Sequence, residues 1–244
     1  MKKRLYWRLL DYSSKNPAMN LAIEEAILRY LLEYSGPNTL RLWQNPPCVV
    51  IGYFQNPYSE VNIAICKKLR IPVVRRVSGG GAVYHDYGNL NYSLFVHKSI
   101  LGTDTDVEKS YDLFCKGVIE GLKILGIEAY NQRGNILINN KKISGSAQYR
   151  LYNVILHHGT LMINVNLNML KQALRISNPE KILVNLQDVI PAKISLNNIK
   201  NAIKIGFEKT LNVKFKEETL TVKERQIAKK LWRVKYSKED WNIR

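Results

Sequence analysis

Residues 75–85 read Arg-Arg-Val-Ser-Gly-Gly-Gly-Ala-Val-Tyr-His. Glycine brings no side chain and gives up conformational entropy on folding, so three in a row mark a place where backbone itself must come close to something. A glycine-rich turn between two strands presents N–H groups that can hold an anion. Arg75 and Arg76 stand just before it, and an arginine can grip a phosphate through two parallel hydrogen bonds. Strand alternation sends the two to opposite faces, so only one of them reaches a ligand. A plain loop with solvated arginines is the bland alternative. The run is neither a G-x-x-x-x-G-K-[ST] loop nor a G-x-G-x-x-G turn opening a helix.

Two further stretches carry chemistry. In Gly134–Gln148, GNILINNKKISGSAQ, Lys142 lies on a strand beside Ser144, Gly145, Ser146 and Ala147. A lysine over such a small-residue floor can extend to a phosphate or a carbonyl oxygen. It is also one of 37 Lys and Arg, most of which must be solvated surface charges. His157-His158-Gly159-Thr160 offers a base or a metal ligand, or else a hydrogen-bonded histidine at a strand end. The cysteines, Cys48, Cys66 and Cys115, are scattered without metal or redox spacing and read as small buried hydrophobes.

The elements that must position these groups alternate along the chain. RLYWRLL reads as a strand, and Asn16-Pro17 as a helix start, with Asn as N-cap and Pro at the first helical position. Leu21, Ala22, Ala26 and Tyr30 follow at helical spacing. TLRLW and CVVIG are strands by their β-branched and aromatic content. Asn56-Pro57 repeats the helix start, with Val61, Ile65 and Leu69 on one face. PVVRR runs into the glycines and LNYSLFV follows them. Residues 107–125 form a helix ending near Gly126. Ile136–Ile138 turns at Asn139-Asn140 into a return strand, and VILHHGTLMINV is another strand. Ser195 caps a helix bearing Leu196, Ile199, Ile203 and Phe207. Thr221 and Glu224 form a capping box for a last helix with Ile227, Leu231 and Val234 inward.

The pattern predicts an α+β fold, with mixed and antiparallel sheets flanked by helices. Residues 1–212 are expected to form the main domain and residues 213–244 a helical C-terminal extension of it. Of the 244 residues, 45% are hydrophobic, enough for a core. No apolar run approaches the ~20 residues needed to cross a bilayer, and the N-terminus lacks a signal-peptide core, so a cytoplasmic location is expected. The formal net charge of +17 favours an anionic partner. No nucleic-acid-binding motif accompanies it, so neither nucleic acid nor membrane is the expected partner.

RRVSGGGAVYHDYGNLNYS, KKISGSAQ and HHGTL, in this order and at this spacing, resemble the lipoate–protein ligase family, within the larger group of biotin–protein ligases and octanoyltransferases. NLAIEEAI at residues 20–27 and VVIGYFQNP at 49–57 match as well. The resemblance implies the biotin/lipoate–protein ligase-like catalytic fold. It implies that lipoate and ATP form lipoyl-adenylate, and that the lipoyl group then passes to a lysine of an acceptor domain.

By the same resemblance, Gly79, Gly80 and Gly81 would let the backbone lie against the adenylate and lipoyl chain. Arg76 would be the phosphate-side arginine, and Gly81, Ala82, Val83 and Tyr84 the nucleotide-contacting segment. Lys142 would bridge the acyl-phosphate as an electrostatic stabiliser. His85 and Asn135 would neighbour the ligand, and Gly52, Phe54 and Gln55 would wall an acyl slot. Mg²⁺ would neutralise the ATP phosphates, with no protein metal ligands expected. Many family members have Asn-Asp where this chain has Asn135-Ile136, which removes a carboxylate from that position. The resemblance is to the catalytic part of a two-part ligase of the archaeal kind, without the C-terminal accessory domain. Adenylation is then expected to need a separate small accessory subunit. Acidic lipoyl domains of 2-oxoacid dehydrogenase E2 or glycine-cleavage H protein would be the acceptors. The rival reading, an octanoyltransferase or lipoyltransferase taking a preformed acyl donor through a cysteine, needs a thiol beside the ligand lysine. None lies between Tyr130 and Tyr149.

Overall fold

Asn16 and Pro17 open the first long helix as their residue types dictate. The Asn16 side chain accepts from Met19 N, and Pro17 takes the first helical position, where a missing N–H costs nothing. The computed structural model describes residues 5–102, 106–190 and 194–244. Its strands are β1 (Leu5–Asp11), β2 (Thr39–Trp43), β3 (Cys48–Ile51), β4 (Val73–Arg75), β5 (Val83–His85), β6 (Asn89–His97), β7 (Tyr130–Gln132), β8 (Asn135–Ile138), β9 (Lys141–Leu151), β10 (Val154–Met162) and β11 (Val213–Glu217). Its α-helices are α1 (Pro17–Tyr34), α2 (Pro57–Glu60), α3 (Ile63–Lys68), α4 (Val107–Ile124), α5 (Leu167–Ala173), α6 (Pro179–Ile182), α7 (Leu196–Leu211), α8 (Val222–Leu231) and α9 (Glu239–Asn242).

Among the described residues the strands form an eight-stranded sheet in the order β11-β1-β2-β6-β10-β9-β8-β7 and a three-stranded sheet in the order β4-β3-β5. The large sheet is parallel at the β11-β1-β2 edge and antiparallel from β2 onward. Its middle strand, β6, is buried on both faces. Leu90, Tyr92 and Leu94 pack in one core with Phe114, Val118 and Leu122 of α4 and Ile199, Ile203 and Phe207 of α7. Phe95 faces the other way, into the core of α1 with Leu156, Leu231 and Tyr236. The mixed sheets flanked by helices are the expected α+β arrangement.

The hairpin turn is as read: Asn139 and Asn140 both adopt positive φ, 48° and 62°, which asparagine tolerates better than most residues. The box at the start of α8 forms too. Thr221 accepts from Glu224 N and the Glu224 carboxylate accepts from Thr221 N. The same carboxylate takes Arg8 Nη1 at 2.9 Å, in a fully buried ion pair that ties β1 to α8.

Three expectations differ from the structure. The helix over residues 57–69 is two short helices, because Val61 is drawn into a bridge with Leu174. Asn62 restarts α3, and Leu69 is left 40% exposed. Val234 does not face inward and is 56% exposed. The chain after α8 widens to a π-helical turn at Trp232–Tyr236, and this turn buries Tyr236, whose hydroxyl donates to Glu25 at 2.6 Å. The C-terminal extension is not wholly helical either, since β11 joins the large sheet beside β1.

Candidate functional site

The glycine turn joins β4 to β5 across the C-terminal end of β3, the strand between them. Arg76 holds it in shape. Its Nη2 donates to Gly79 O at 2.6 Å and Gly81 O at 2.9 Å, its Nε to Ser78 Oγ at 3.0 Å, and its Nη1 to Val50 O at 3.3 Å. Gly80 sits at φ +87°, and Gly52 packs so closely on it that a Cβ at residue 52 would lie 2.1 Å from Gly80 O. Such contact is possible only with a glycine at residue 52. Arg75 points away from the turn, donating to Gly52 O, Tyr53 O and Gln55 O at 2.8–3.0 Å and to Trp241 O at 3.0 Å. One arginine therefore faces the cavity and the other fastens the C-terminal segment, as alternation requires.

Lys142 reaches the same cavity through an irregularity that periodicity does not reveal. The β8–β9 ladder pairs Asn135 with Gly145 and Ile136 with Ser144, then slips, pairing Leu137 with Lys142. Ile143 is the extra residue of a β-bulge. Without it, Lys142 and Gly145, three residues apart, would point to opposite faces. With it they share one, which is what bulges do near functional sites. Gly145 then makes the room: a Cβ there would stand 2.5 Å from Lys142 Nζ. Burial, and after it the charge of Arg76, lowers the Lys142 pKa from the ordinary lysine value.

Between the two sheets and α1 lies a cavity of about 130 Å³. Its floor is a register row across the large sheet, Trp43 opposite Asn91, Asn91 opposite Thr160, and Thr160 opposite Gly145. Three strand spacings of ~4.8 Å make that row about 14 Å long. The Lys142 end opens beside Gly80 and Gly81, which are exposed. The Trp43 end is closed. There Arg41 stacks on Trp43, its guanidinium carbon 4.5 Å from the ring centroid, and the His85 ring meets Trp43 edge-on at 6.3 Å.

A buried polar chain runs along one wall. Glu24 accepts from Ser93 Oγ at 2.6 Å and meets His158 Nδ1 at 3.0 Å, and His158 Nε2 meets Ser78 Oγ at 2.6 Å. Burial alone would raise the Glu24 pKa, but His158, Arg41 and Ser93 together hold it below the ordinary carboxylate value. The connectivity is that of a serine nucleophile with its base and orienting acid. Ser78, however, is 1% exposed and does not line the cavity. The chain ties the glycine turn to α1 and the sheet, and does not present a nucleophile.

Of the residues singled out in the sequence, Arg76, Gly80, Gly81, Ala82, Val83, His85 and Lys142 line the cavity, with Gly145, Ser146 and Ala147 of the small-residue floor and His158, Gly159 and Thr160 of the histidine stretch. Gly79 does not; its carbonyl serves Arg76. Tyr84 does not, because alternation on β5 turns it into the core while Val83 and His85 face the cavity. Asn135 does not line it either; it stands beside Gly145 on the neighbouring strand β8, its Oδ1 3.5 Å from where a Cβ would be. Gly52, Phe54 and Gln55, expected to wall an acyl slot, do not line this cavity: Phe54 is 86% exposed, and Gln55 is turned back to accept from Gly52 N. The apolar wall comes from Leu21, Trp43 and Val50 instead. Glu24, Trp43 and Asn91 also line the cavity and were not singled out. Only Glu24 left a signal, a carboxylate inside the apolar stretch Leu21–Ile27.

No cysteine lines the cavity. All three are buried, and burial raises every thiol pKa, that of Cys115 to about 11. Among the described residues no group of three His, Cys, Asp or Glu could hold a metal ion. Ile136, at the position where a carboxylate is missing, is core. No helix of the described residues is long and apolar enough to cross a membrane.

Comparison with known proteins agrees with this arrangement. The family model described as the lipoyl protein ligase A/B catalytic domain matches residues 16–208. Lipoate-protein ligase A subunit 1 of Thermoplasma acidophilum is 34% identical over 256 residues, covering 96% of this chain and 95% of that protein. Octanoyltransferase LipM of Halalkalibacterium halodurans is 30% identical, covering 98% and 99%. Among solved structures, a crystal structure of lipoate-protein ligase A bound with ATP superposes with TM-score 0.91 at 33% identity, covering 98% of this chain and 99% of that one. A structure of a bipartite archaeal lipoate protein ligase and its E2 lipoyl domain, from Thermoplasma acidophilum, gives TM-score 0.90 at 32% identity, covering 98% and 96%. By its fold, its glycine turn with the facing Lys142 and these likenesses over almost its whole length, the chain belongs to the lipoyl protein ligase A/B catalytic domain family.

Proposed function

We propose that this member of the lipoate ligase and transferase family is the catalytic subunit of an ATP-dependent lipoate–protein ligase. In the first step a lipoate carboxylate oxygen attacks the α-phosphorus of ATP. The bond to pyrophosphate breaks, and lipoyl-adenylate forms. In the second step a deprotonated lysine amine of an acceptor lipoyl domain attacks the acyl carbon. The C–O bond to AMP breaks, AMP leaves, and the amine proton passes to solvent.

The single observation that carries this reading is the convergence of the Lys142 ammonium with the exposed glycines Gly80 and Gly81 at the open end of a partly apolar slot. An acyl chain would lie in the slot with its carboxyl group at Lys142. There the ammonium offsets the negative charge that develops on phosphate and carbonyl oxygens in both steps. Arg76 keeps the turn in the shape that exposes those N–H groups. The likeness to an ATP-bound ligase supports ATP as co-substrate. Mg²⁺ would come with the ATP phosphates, which commonly supply much of this ion's coordination. The likeness to one part of a bipartite ligase supports a separate accessory subunit for adenylation and a lipoyl domain as acceptor. Glycine-cleavage H protein and a cytoplasmic location belong to the same proposal.

The test is AMP formation from ATP, lipoate and a lipoyl domain, with and without the small accessory protein. Lipoate-dependent AMP formation that rises strongly with the accessory protein is expected. Full adenylation by the chain alone would remove the accessory subunit from the account, and none under either condition would remove ATP. The relatives named as octanoyltransferases favour a second reading, transfer from a preformed acyl donor. If that transfer used a thioester on this chain, Cys48, Cys66 or Cys115 would have to be the thiol. The triple Cys→Ser variant is expected to keep its transfer rate, and loss of transfer would favour the second reading.

A further inference from the structure

The closed end of the cavity contains a histidine whose proton can be placed by following donors inward. Ser14 N and Arg41 Nη2 both donate to Asn20 Oδ1, each at 2.8 Å. Neither can accept, so the orientation of the Asn20 amide is fixed. Its Nδ2 donates to Asn45 Oδ1 at 2.8 Å. Asn45 must then turn its own Nδ2 toward His85 Nδ1, 3.0 Å away. Nδ1 therefore accepts and carries no proton, and the hydrogen of the neutral ring is on Nε2.

That Nε2 is buried, lies on a ring that lines the cavity, and has no hydrogen-bond partner. The His85 side chain belongs to a residue 4% exposed. Burial, followed by the charge of Arg76, lowers its pKa to about 3, so the ring is neutral over the physiological range. A buried donor with no partner is rare in a folded protein; of the four such atoms among the described residues, His85 Nε2 is the one whose residue lines the cavity, where a bound molecule can complete the bond.

We propose that His85 is a specificity-determining residue for the acyl tail: its fixed Nε2–H selects an acid that carries a hydrogen-bond acceptor at its far end, a dithiolane sulfur, over a plain saturated chain of similar length. The proposal rests on the acyl-slot reading given above, with the carboxyl group at Lys142 and the tail near Trp43 and His85. A saturated tail leaves the donor bare inside the slot. A ring sulfur, though a weak acceptor, partly satisfies it. Sites built to meet a polar group reject analogues that lack it, and a weak sulfur acceptor sets the expected preference at about tenfold in kcat/KM.

The experiment supplies the chain with synthetic lipoyl-adenylate and octanoyl-adenylate separately, follows transfer to a lipoyl domain by intact mass, and takes the ratio of the two kcat/KM values. His85→Phe keeps a ring and removes the donor. Asn45→Asp leaves His85 in place but offers its Nδ1 only acceptors, which moves the ring proton from Nε2 to Nδ1. The unaltered chain is expected to favour the lipoyl donor about tenfold, and the ratio should fall toward one in both variants, each checked for folding by circular dichroism. A ring that merely fills space would leave the Asn45→Asp ratio unchanged, and that result overturns the proposal. Equal use of both donors by the unaltered chain also overturns it while leaving the ligase reading intact. Transfer of neither donor overturns both.

Discussion

Lys142 and Gly145 act as a unit. The lysine reaches the cavity only because residue 145 has no Cβ to block its terminal carbons. Gly145→Ala would displace the flexible end of one side chain and no backbone, so folding stability should change by less than about 0.5 kcal/mol. Transfer activity should fall at least tenfold, because a misplaced charge no longer faces the reacting oxygens. Thermal melting and single-turnover transfer, measured on the same sample, check both halves. At this scale the sequence was informative wherever a residue type has few uses. The glycines, the outward and inward arginines and the lysine over small residues were all legible. Tyr84 lies off the cavity because a motif match names a contiguous run, whereas a strand offers the cavity only alternate side chains. Trp43 and Asn91 could not be found, since they are unremarkable strand residues that meet only through register.

Elements hold those residues in place through a few buried polar ties. The Arg8–Glu224 pair joins the edge of the sheet to the last long helix, and both groups are out of water. Glu224→Ala removes the capping box and leaves the Arg8 charge buried and unpaired, a loss of about 3–5 kcal/mol. Urea unfolding should therefore show a lower midpoint, and an unchanged midpoint would show that Arg8 finds other partners. Helix starts and the hairpin were legible because Asn, Ser, Thr and Pro act locally. The β-bulge at Ile143, the break of the helix at Val61 and the widened turn at Trp232–Tyr236 were not. Each is imposed by a distant partner, and no local propensity encodes it.

On the scale of the whole molecule, charge and burial make two further predictions. His85 and His157 have pKa values near 3 because they are buried, against 6.5 for a free histidine. Between those values the unfolded chain binds more protons than the folded one, so stability is complete above about 6.5 and is lost as pH falls toward 3. Glu24 and Glu25, both held below the ordinary carboxylate value, add a loss of the same sign below 4.5. Melting temperature followed from pH 8 downward should decline from about pH 6.5, and a rise on acidification would contradict these assignments. The net charge of +17 should act on docking of an acidic acceptor domain. Added salt should lower the second-order rate of transfer several-fold and leave the rate at saturating acceptor nearly unchanged. The layered α+β arrangement was legible from the alternation of strand and helix patterns, while the closure of one wall by α1 and the three-stranded sheet was not. The measurement that bears most directly on the whole account is the initial rate of lipoyl mass gain on an acceptor domain from synthetic lipoyl-adenylate, with Lys142→Ala in parallel. The expected result is transfer well above the uncatalysed rate, reduced at least about 100-fold by the substitution. Transfer at the uncatalysed rate, or a Lys142→Ala variant as fast as the unaltered chain, would contradict it.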